Sequence, residues 1–229
     1  TAPYLALPIA VQIFSGLGTA GTLLASTSFY YDSTYTQSPS LGLLTKTVSM
    51  LSGQDPVVIS SYDAYGNVTD TYDALYNATG GAQGNHAYTI YESTFNQFPL
   101  SVQQAVGSSL ALPPETFTYD SRTGQILSQV DINGSTTTYT YDIFGRLASV
   151  IGPADQITPS SPTATYQYNV SSSPPHSMVS NSRVVHGSTM TLASYTFFDG
   201  LGRKMQTKTA GPAGNQIISG AVVYNTLGQ

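Results

Sequence analysis

Residues 138–153, Thr138-Tyr139-Thr140-Tyr141-Asp142-Ile143-Phe144-Gly145-Arg146-Leu147-Ala148-Ser149-Val150-Ile151-Gly152-Pro153, spell out a hairpin. Tyr139 and Tyr141 alternate with Thr138 and Thr140, the period-two pattern of a half-buried strand built from residues that favour one. Asp142 and Gly145 are spaced for a type I turn, in which a carboxylate at the first position accepts from amides ahead of it and the fourth position is cheapest for glycine. Arg146 to Ile151 reads as the returning strand. Gly152-Pro153 ends it, because proline has no amide to give to the ladder.

The same arrangement of an aromatic, an Asp or Asn, and a glycine followed by a polar residue recurs along the chain. It is found at Tyr62-Asp63-Ala64-Tyr65-Gly66-Asn67, at Tyr119-Asp120-Ser121-Arg122-Thr123-Gly124-Gln125, at Phe198-Asp199-Gly200-Leu201-Gly202-Arg203 and at Tyr224-Asn225-Thr226-Leu227-Gly228-Gln229. The interval from Tyr119 to Tyr141 is roughly 22 residues, two strands and two turns, so the repeat unit is a hairpin and not a helix pair. The expected fold is all-β: tandem antiparallel hairpins forming a long twisted or coiling sheet, with no substantial helix.

These residues resemble the YD-repeat family, also called Rhs repeats. The run from Thr94 to Pro153, with Phe98-Pro99, Tyr119-Asp120, Asp131-Ile132-Asn133-Gly134 and Tyr141 to Leu147, is similar to the arrays of Rhs proteins, teneurins and the B and C components of insecticidal toxin complexes. Asp199 to Lys208 is similar to a variant common in the toxin-complex branch. The likeness extends from about Tyr62 to Gln229. It implies a non-catalytic segment of a large secreted or cell-surface β-shell, of a toxin-enclosing or ectodomain type, whose partners are further repeats of the same polypeptide or identical neighbouring subunits. The self-cleaving aspartates of toxin-complex relatives lie in a terminal region that has no match in this chain. The organisation expected is a divergent β region over 1–60, with an apolar N-terminal strand, followed by the hairpin array over 61–229 with a Pro/Ser-rich loop region at about 154–181.

Composition narrows the function classes. Charged residues are only 8% of the 229, and the net charge is -5 with 7 Lys plus Arg, so there is no basic patch to neutralise phosphates and nucleic acid is not expected as a partner. Ser and Thr together make up roughly a quarter of the chain, far above ordinary usage, and supply the surface polarity that charges do not. No run approaches the about 18 apolar residues of a membrane span. The absence of cysteine is compatible with secretion, because a chain of this length can bury a core without disulfides. Sequons stand at Asn67, Asn77, Asn133 and Asn169, which an extracellular route would make possible N-glycosylation sites; a chain rich in Asn, Ser and Thr also produces such triplets by composition alone.

No catalytic, cofactor-binding or metal-binding residues are expected. Gly16-Leu17-Gly18-Thr19-Ala20-Gly21 has dinucleotide-binding spacing after an apolar strand, but Thr22 to Tyr31 is rich in Ser, Thr and aromatics where a phosphate-binding helix should begin, so it reads as a glycine turn between strands. His86, His176 and His186 read as residues in or beside loops, without ligand spacing. No serine lies in a nucleophile elbow. Asp131-Ile132-Asn133-Gly134 lacks the third acidic position and the distal Glu of a calcium loop and reads as a turn.

Tyr31-Asp32 resembles a repeat copy without its glycine. Further strands are expected over 43–51, 57–62, 164–168, 183–198, 204–209 and 217–224, with two more within 88–106 about Phe98-Pro99. Arg146 and Arg203 follow the turn glycine and are placed to reach an aspartate or stack on a tyrosine of an adjacent copy, a bidentate and stacking staple that lysine would not reproduce. The strand ending at Tyr224 and the apolar stretch from Tyr4 to Phe14 each lack a neighbour on one side, and further strands from a longer polypeptide or a neighbouring subunit are expected there. Besides the shell segment, two other functions fit the residues: a subunit of an extracellular fibre or coat that assembles by edge-strand addition, and an adhesin that stacks glycans on exposed tyrosines.

Overall fold

The computed structural model describes residues 7–16, 18–50, 55–107, 110–156, 162–211 and 214–225. Among these residues sixteen antiparallel strands follow one another in chain order, each hydrogen-bonded to the next. That order is what tandem hairpins dictate, since a short turn returns the chain beside the strand it has just left. The residues group into two compact units, the first Thr1–Phe117 with Asp131–Asn133 and the second Thr118–Val130 with Gly134–Gln229.

The first unit contains β1 (Ala10–Phe14), β2 (Leu23–Tyr31), β3 (Leu44–Ser49), β4 (Val57–Tyr62), β5 (Val68–Tyr72), β6 (His86–Tyr91), β7 (Pro99–Gln103) and the start of β8 (Glu115–Tyr119). Among its described residues a short α-helix, α1 (Ala74–Thr79), was not foreseen from the sequence. Asp73 caps it by accepting the amide of Tyr76 at 2.7 Å, and left-handed Gly80 ends it. The glycines at 16 and 18 lie in the connection between β1 and β2, both at positive φ, as a turn between strands requires. The expected pair of strands about Phe98-Pro99 is β6 and β7, but the turn occupies 92–98 and Pro99 already begins the returning strand.

The second unit continues with β9 (Ile126–Val130), β10 (Thr136–Tyr141), β11 (Leu147–Ile151), β12 (Ala164–Asn169), β13 (His176–Arg183), β14 (Thr191–Phe198), β15 (Lys204–Ala210) and β16 (Gln216–Ser219). The single strand expected over 183–198 is corrected: β13 ends at Arg183, residues 184–190 turn the chain, and β14 begins at Thr191. Val184 and Val185 extend the apolar pattern past the strand's end, so periodicity alone cannot find the break. β16 is also shorter than the 217–224 expected, stopping at Ser219. His86 and His176 are the first residues of β6 and β13, whereas His186 lies in a loop.

Five hairpins that end in the aromatic-acid pair slip their register at the aromatic. The shifts fall at Tyr30/Tyr31, Ser61/Tyr62, Ile90/Tyr91, Thr140/Tyr141 and Phe197/Phe198. A bulge there inserts one extra residue and bends the strand as it enters the turn. Strand residues are mostly half-buried. Among the described residues the buried hydrophobic side chains are Tyr31 in the first unit and Val179 in the second.

Candidate functional site

The recurrent chemistry of this chain is its set of turns. In the Tyr141 copy, Asp142 Oδ1 accepts the amides of Phe144 and Arg146, both at 2.9 Å, and Oδ2 accepts Arg146 Nε at 2.7 Å. The backbone closes with Asp142 N to Arg146 O at 2.8 Å, and Gly145, at φ 77, donates to Asp142 O at 2.9 Å. The Phe198 copy repeats this: Asp199 Oδ1 accepts from Leu201 and Arg203 at 2.9 Å, Oδ2 from Arg203 Nε at 2.7 Å, and Gly202 is again at φ 77. In the Tyr62 copy Asn67 takes the arginine's place, and its Nδ2 donates to Asp63 Oδ2 at 2.8 Å while Gly66 sits at φ 88. In the Tyr119 copy Asp120 Oδ1 accepts the Arg122 amide at 2.8 Å and Gly124 is at φ 72. Tyr224 and Asn225 follow β16 outside any strand, and Gly228 lies outside the described residues.

Each turn carboxylate titrates below its ordinary value. Burial pushes Asp142 and Asp199 up, but the amides they accept and the adjoining guanidinium outweigh it. For Asp63 the same opposition is settled by the Asn67 side chain and the turn amides. Asp120 is lowered first by the Arg122 side chain.

Two turns that sequence reading missed or left incomplete obey the same design. Asp32 Oδ2 accepts the amides of Ser40 and Leu41, and Oδ1 those of Gly42 and Leu43, at 2.8 to 3.1 Å. The glycine is therefore present, as Gly42 at φ 82, ten residues on. Tyr91-Glu92 is a further copy with a longer acid, whose oxygens accept from Thr94, Phe95 and Gln97. An aromatic at a strand end followed at once by a carboxylate is the signal both share.

What joins one hairpin to the next is the tyrosine hydroxyl. Tyr62 donates to Leu44 O at 2.6 Å, Tyr91 to Val68 O at 3.0 Å, Tyr141 to Ile126 O at 2.9 Å, Tyr168 to Leu147 O at 3.1 Å and Tyr224 to Lys204 O at 3.0 Å. In every case the acceptor is the first residue of the strand that returns from the preceding copy's turn. The two repeat arginines reinforce the link: Arg146 Cζ lies 4.3 Å from the Tyr168 ring centroid and Arg203 Cζ 4.1 Å from that of Tyr224. Each thus bonds its own aspartate through Nε and stacks on a tyrosine of the next hairpin, a staple with one side-chain hydrogen bond in place of the bidentate contact expected.

The second unit holds one more centre that the sequence did not announce. Asp155 is fully buried and accepts from Thr163 Oγ1 and Arg183 Nη1, both at 2.6 Å, and from Gly187 N at 3.1 Å, with His186 Nδ1 at 3.3 Å. The Thr163 hydroxyl chiefly, then the Gly187 amide, His186 and the Arg183 charge, hold its carboxyl at about 2 against the opposing effect of burial.

The four sequons differ in what their amides do. Asn67 Nδ2 bonds Asp63 and Asn96, and Asn77 Nδ2 bonds the carbonyls of Val57, Tyr72 and Asp73, whereas Asn133 sits in an exposed turn and Asn169 Nδ2 makes one exposed contact of 3.3 Å with Ser177. Among the described residues no group of three or more His, Cys, Asp or Glu side chains is placed to hold a metal ion, and no helix is long and apolar enough to cross a membrane.

Residues 119–157, which contain the Tyr119 and Tyr141 turns and their tyrosine link, match the RHS Repeat family. The chain carries an RHS repeat. Its fold is shared with large solved structures: TcdB2-TccC3, at 15% identity and a TM-score of 0.65 over 91% of this chain, and the Photorhabdus luminescens Tc holotoxin pore, at 15% identity and a TM-score of 0.56 over 88%. This chain spans 14% and 10% of the lengths of those two chains. No curated protein matches the sequence. The RHS repeat geometry accordingly describes a structural repeat module, in which the YD residues hold turns and neighbouring hairpins together.

Proposed function

We propose that this chain is a segment of the wall of a large, secreted or cell-surface RHS-type β-shell, built to enclose a cargo. The observation that carries the reading is a sheet that covers itself so little. Sixteen strands are present, yet Tyr31 and Val179 are the buried hydrophobic side chains among the described residues, while Val11 and Ile13 on β1 and Ile217 and Ile218 on β16 are all more than half exposed. A soluble domain ordinarily packs a second layer against such a sheet, and apolar outer strands are templates for further strands. In a wall, neighbouring repeats of the same polypeptide or of identical subunits meet both needs. The fold shared with the toxin-complex structures supports the reading, as does the RHS repeat itself. The turn acids are occupied with amides and guanidinium groups, which favours a structural over a catalytic role.

Electron microscopy of the natural polypeptide that bears this sequence tests the proposal. Hollow closed particles are expected. Filaments would favour the fibre or coat subunit, and solid globular particles would overturn both. For the isolated 229 residues, light scattering is expected to show association, with weak amide protection in β16; a stable monomer protected across Ile217–Ser219 would remove the argument from open edges.

A further inference from the structure

The turn between β2 and β3 is built like the other copies and then enlarged. Asp32 N donates to Leu43 O at 2.7 Å, the same closure that Asp142 makes to Arg146, but here eleven residues separate the pair in place of four. Four amides on the Asp32 carboxylate fix the base of this loop, and Thr45 Oγ1 donates to Asp32 O at 2.6 Å beneath it. The excess chain and the neighbouring strands β3 and β4 line a half-open cavity of about 540 Å³. That lies within the range of about 300–1,000 Å³ usual for small-ligand sites.

The lining has a consistent chemistry. Its charged side chain, Asp32, is buried and spent on the loop amides. Ser33, Thr34, Ser60 and Ser61 also line the cavity and take no part in pinning the loop; Ser60 and Ser61 are consecutive on β4, so one of the two turns its hydroxyl to this face and the other meets the cavity through its backbone. Tyr35 contributes a ring held at φ 51, a left-handed conformation that side chains other than glycine rarely adopt, with Lys46 Nζ 5.7 Å from its centroid. Tyr62 contributes a second ring, its own hydroxyl being engaged with Leu44 O. Hydroxyls that both donate and accept match a polyol, and an aromatic face matches the C–H face of a pyranose. No guanidinium lines the cavity to fix an anion.

We propose that this pocket binds a neutral saccharide, with Tyr35 as the stacking platform and the hydroxyls of Ser33, Thr34 and one serine of β4 as hydrogen-bonding partners. The site is independent of the wall reading, since a wall needs no enlarged turn here. The test is a titration of the full 229-residue chain, labelled with nitrogen-15, against glucose, galactose, mannose, N-acetylglucosamine and their disaccharides, with glucuronate and inorganic sulfate as charged comparisons. At least one neutral sugar is expected to give saturable shifts confined to the Asp32 loop and β4. Tyr35→Gly, which suits the backbone conformation, should keep the remaining spectrum and the unfolding midpoint while weakening binding about tenfold or more. Of Ser60→Val and Ser61→Val, substitutions a strand accommodates, one should weaken the same sugar and the other leave it unchanged, and equal binding in both would count against the proposal. The proposal is overturned by the absence of saturable shifts with every neutral sugar, by equal binding in Tyr35→Gly, or by tighter binding of glucuronate or sulfate.

Discussion

Asp142 and Asp155 stand thirteen residues apart in the second unit, and both are acids whose oxygens are filled, yet they order the chain in opposite ways. Asp142 takes its partners from Phe144 and Arg146, within four residues of itself. Asp155 takes its partners from Thr163, Arg183, His186 and Gly187, eight to thirty-two residues ahead. The first closes a turn that any hairpin could carry, and losing it should loosen one rim of the sheet. The second ties the Pro153–Asp155 turn to β13 and the loop before β14. It does so in a dry place: the side chain of Arg183 is 2% exposed and that of Asp155 0%. Local acids specify the repeat, and the distant one fixes the irregular part between repeats.

The largest effect that could break this comparison belongs to Arg183. Arg183→Met removes one partner of a buried pair and leaves the other charge without its counter-ion, a loss expected to lower the unfolding midpoint by roughly 10 °C. Differential scanning calorimetry would show it, and a midpoint unchanged within error would mean that Asp155 does not organise its surroundings.

Acid is the next most discriminating probe. Asp155 is held at about 2 from an ordinary value near 3.8, so its contribution is fully present above about pH 4 and is lost as the pH falls toward 2. Asp32, Asp63, Asp142 and Asp199 are lowered in the same direction and add to the same loss. The midpoint should therefore stay level from neutral pH to about 5 and decline below about 4. In Asp155→Asn the decline should be shallower. A decline that begins above pH 5 would show that groups other than these carboxylates set the acid sensitivity.

Smaller effects separate the parts of the inter-copy link. Arg146→Lys loses the Nε bond to Asp142 and the planar stack on Tyr168, both partly exposed, and should cost about 1 kcal/mol, read as a shift of a few degrees. Tyr141→Phe removes only the hydroxyl bond to Ile126 O and should cost about 0.5–1.5 kcal/mol while leaving the ring in place. Phe198 shows that the fold tolerates a copy whose aromatic has no hydroxyl. The double variant of Arg146→Lys and Tyr168→Phe should be close to additive if the arginine stacks on the ring alone; marked non-additivity would show that the hydroxyl bond holds the ring for the stack.

The enlarged Asp32 turn and the plain turns make the same point at another scale. Asp32 was readable as a degenerate copy because Tyr31-Asp32 repeats the aromatic-acid pair. Its glycine was not readable, because it lies ten residues on and only the folded loop brings its amide to the carboxylate. Glu92 was missed for a related reason: a longer acid serving a longer turn breaks the spacing while keeping the chemistry. Between β13 and β14, Val184 and Val185 continue an apolar pattern through a turn, so hydrophobic periodicity merged two strands into one.

By itself, the sequence determined that this chain is a series of antiparallel hairpins, and where most of the acid turns fall. Strand alternation and an aspartate, a glycine and an arginine within four residues are interactions of a residue with its near neighbours, and any chain that carries them folds the same way locally. Only the tertiary structure decided which carbonyl each tyrosine hydroxyl meets, that Asp155 finds Arg183, and that the Asp32 loop lines a cavity. Those contacts join residues fifteen or more apart, or depend on how a loop lies over the strands beside it. They follow from the register of one hairpin on the next, and that register is set by packing across strands, which no short window of sequence contains.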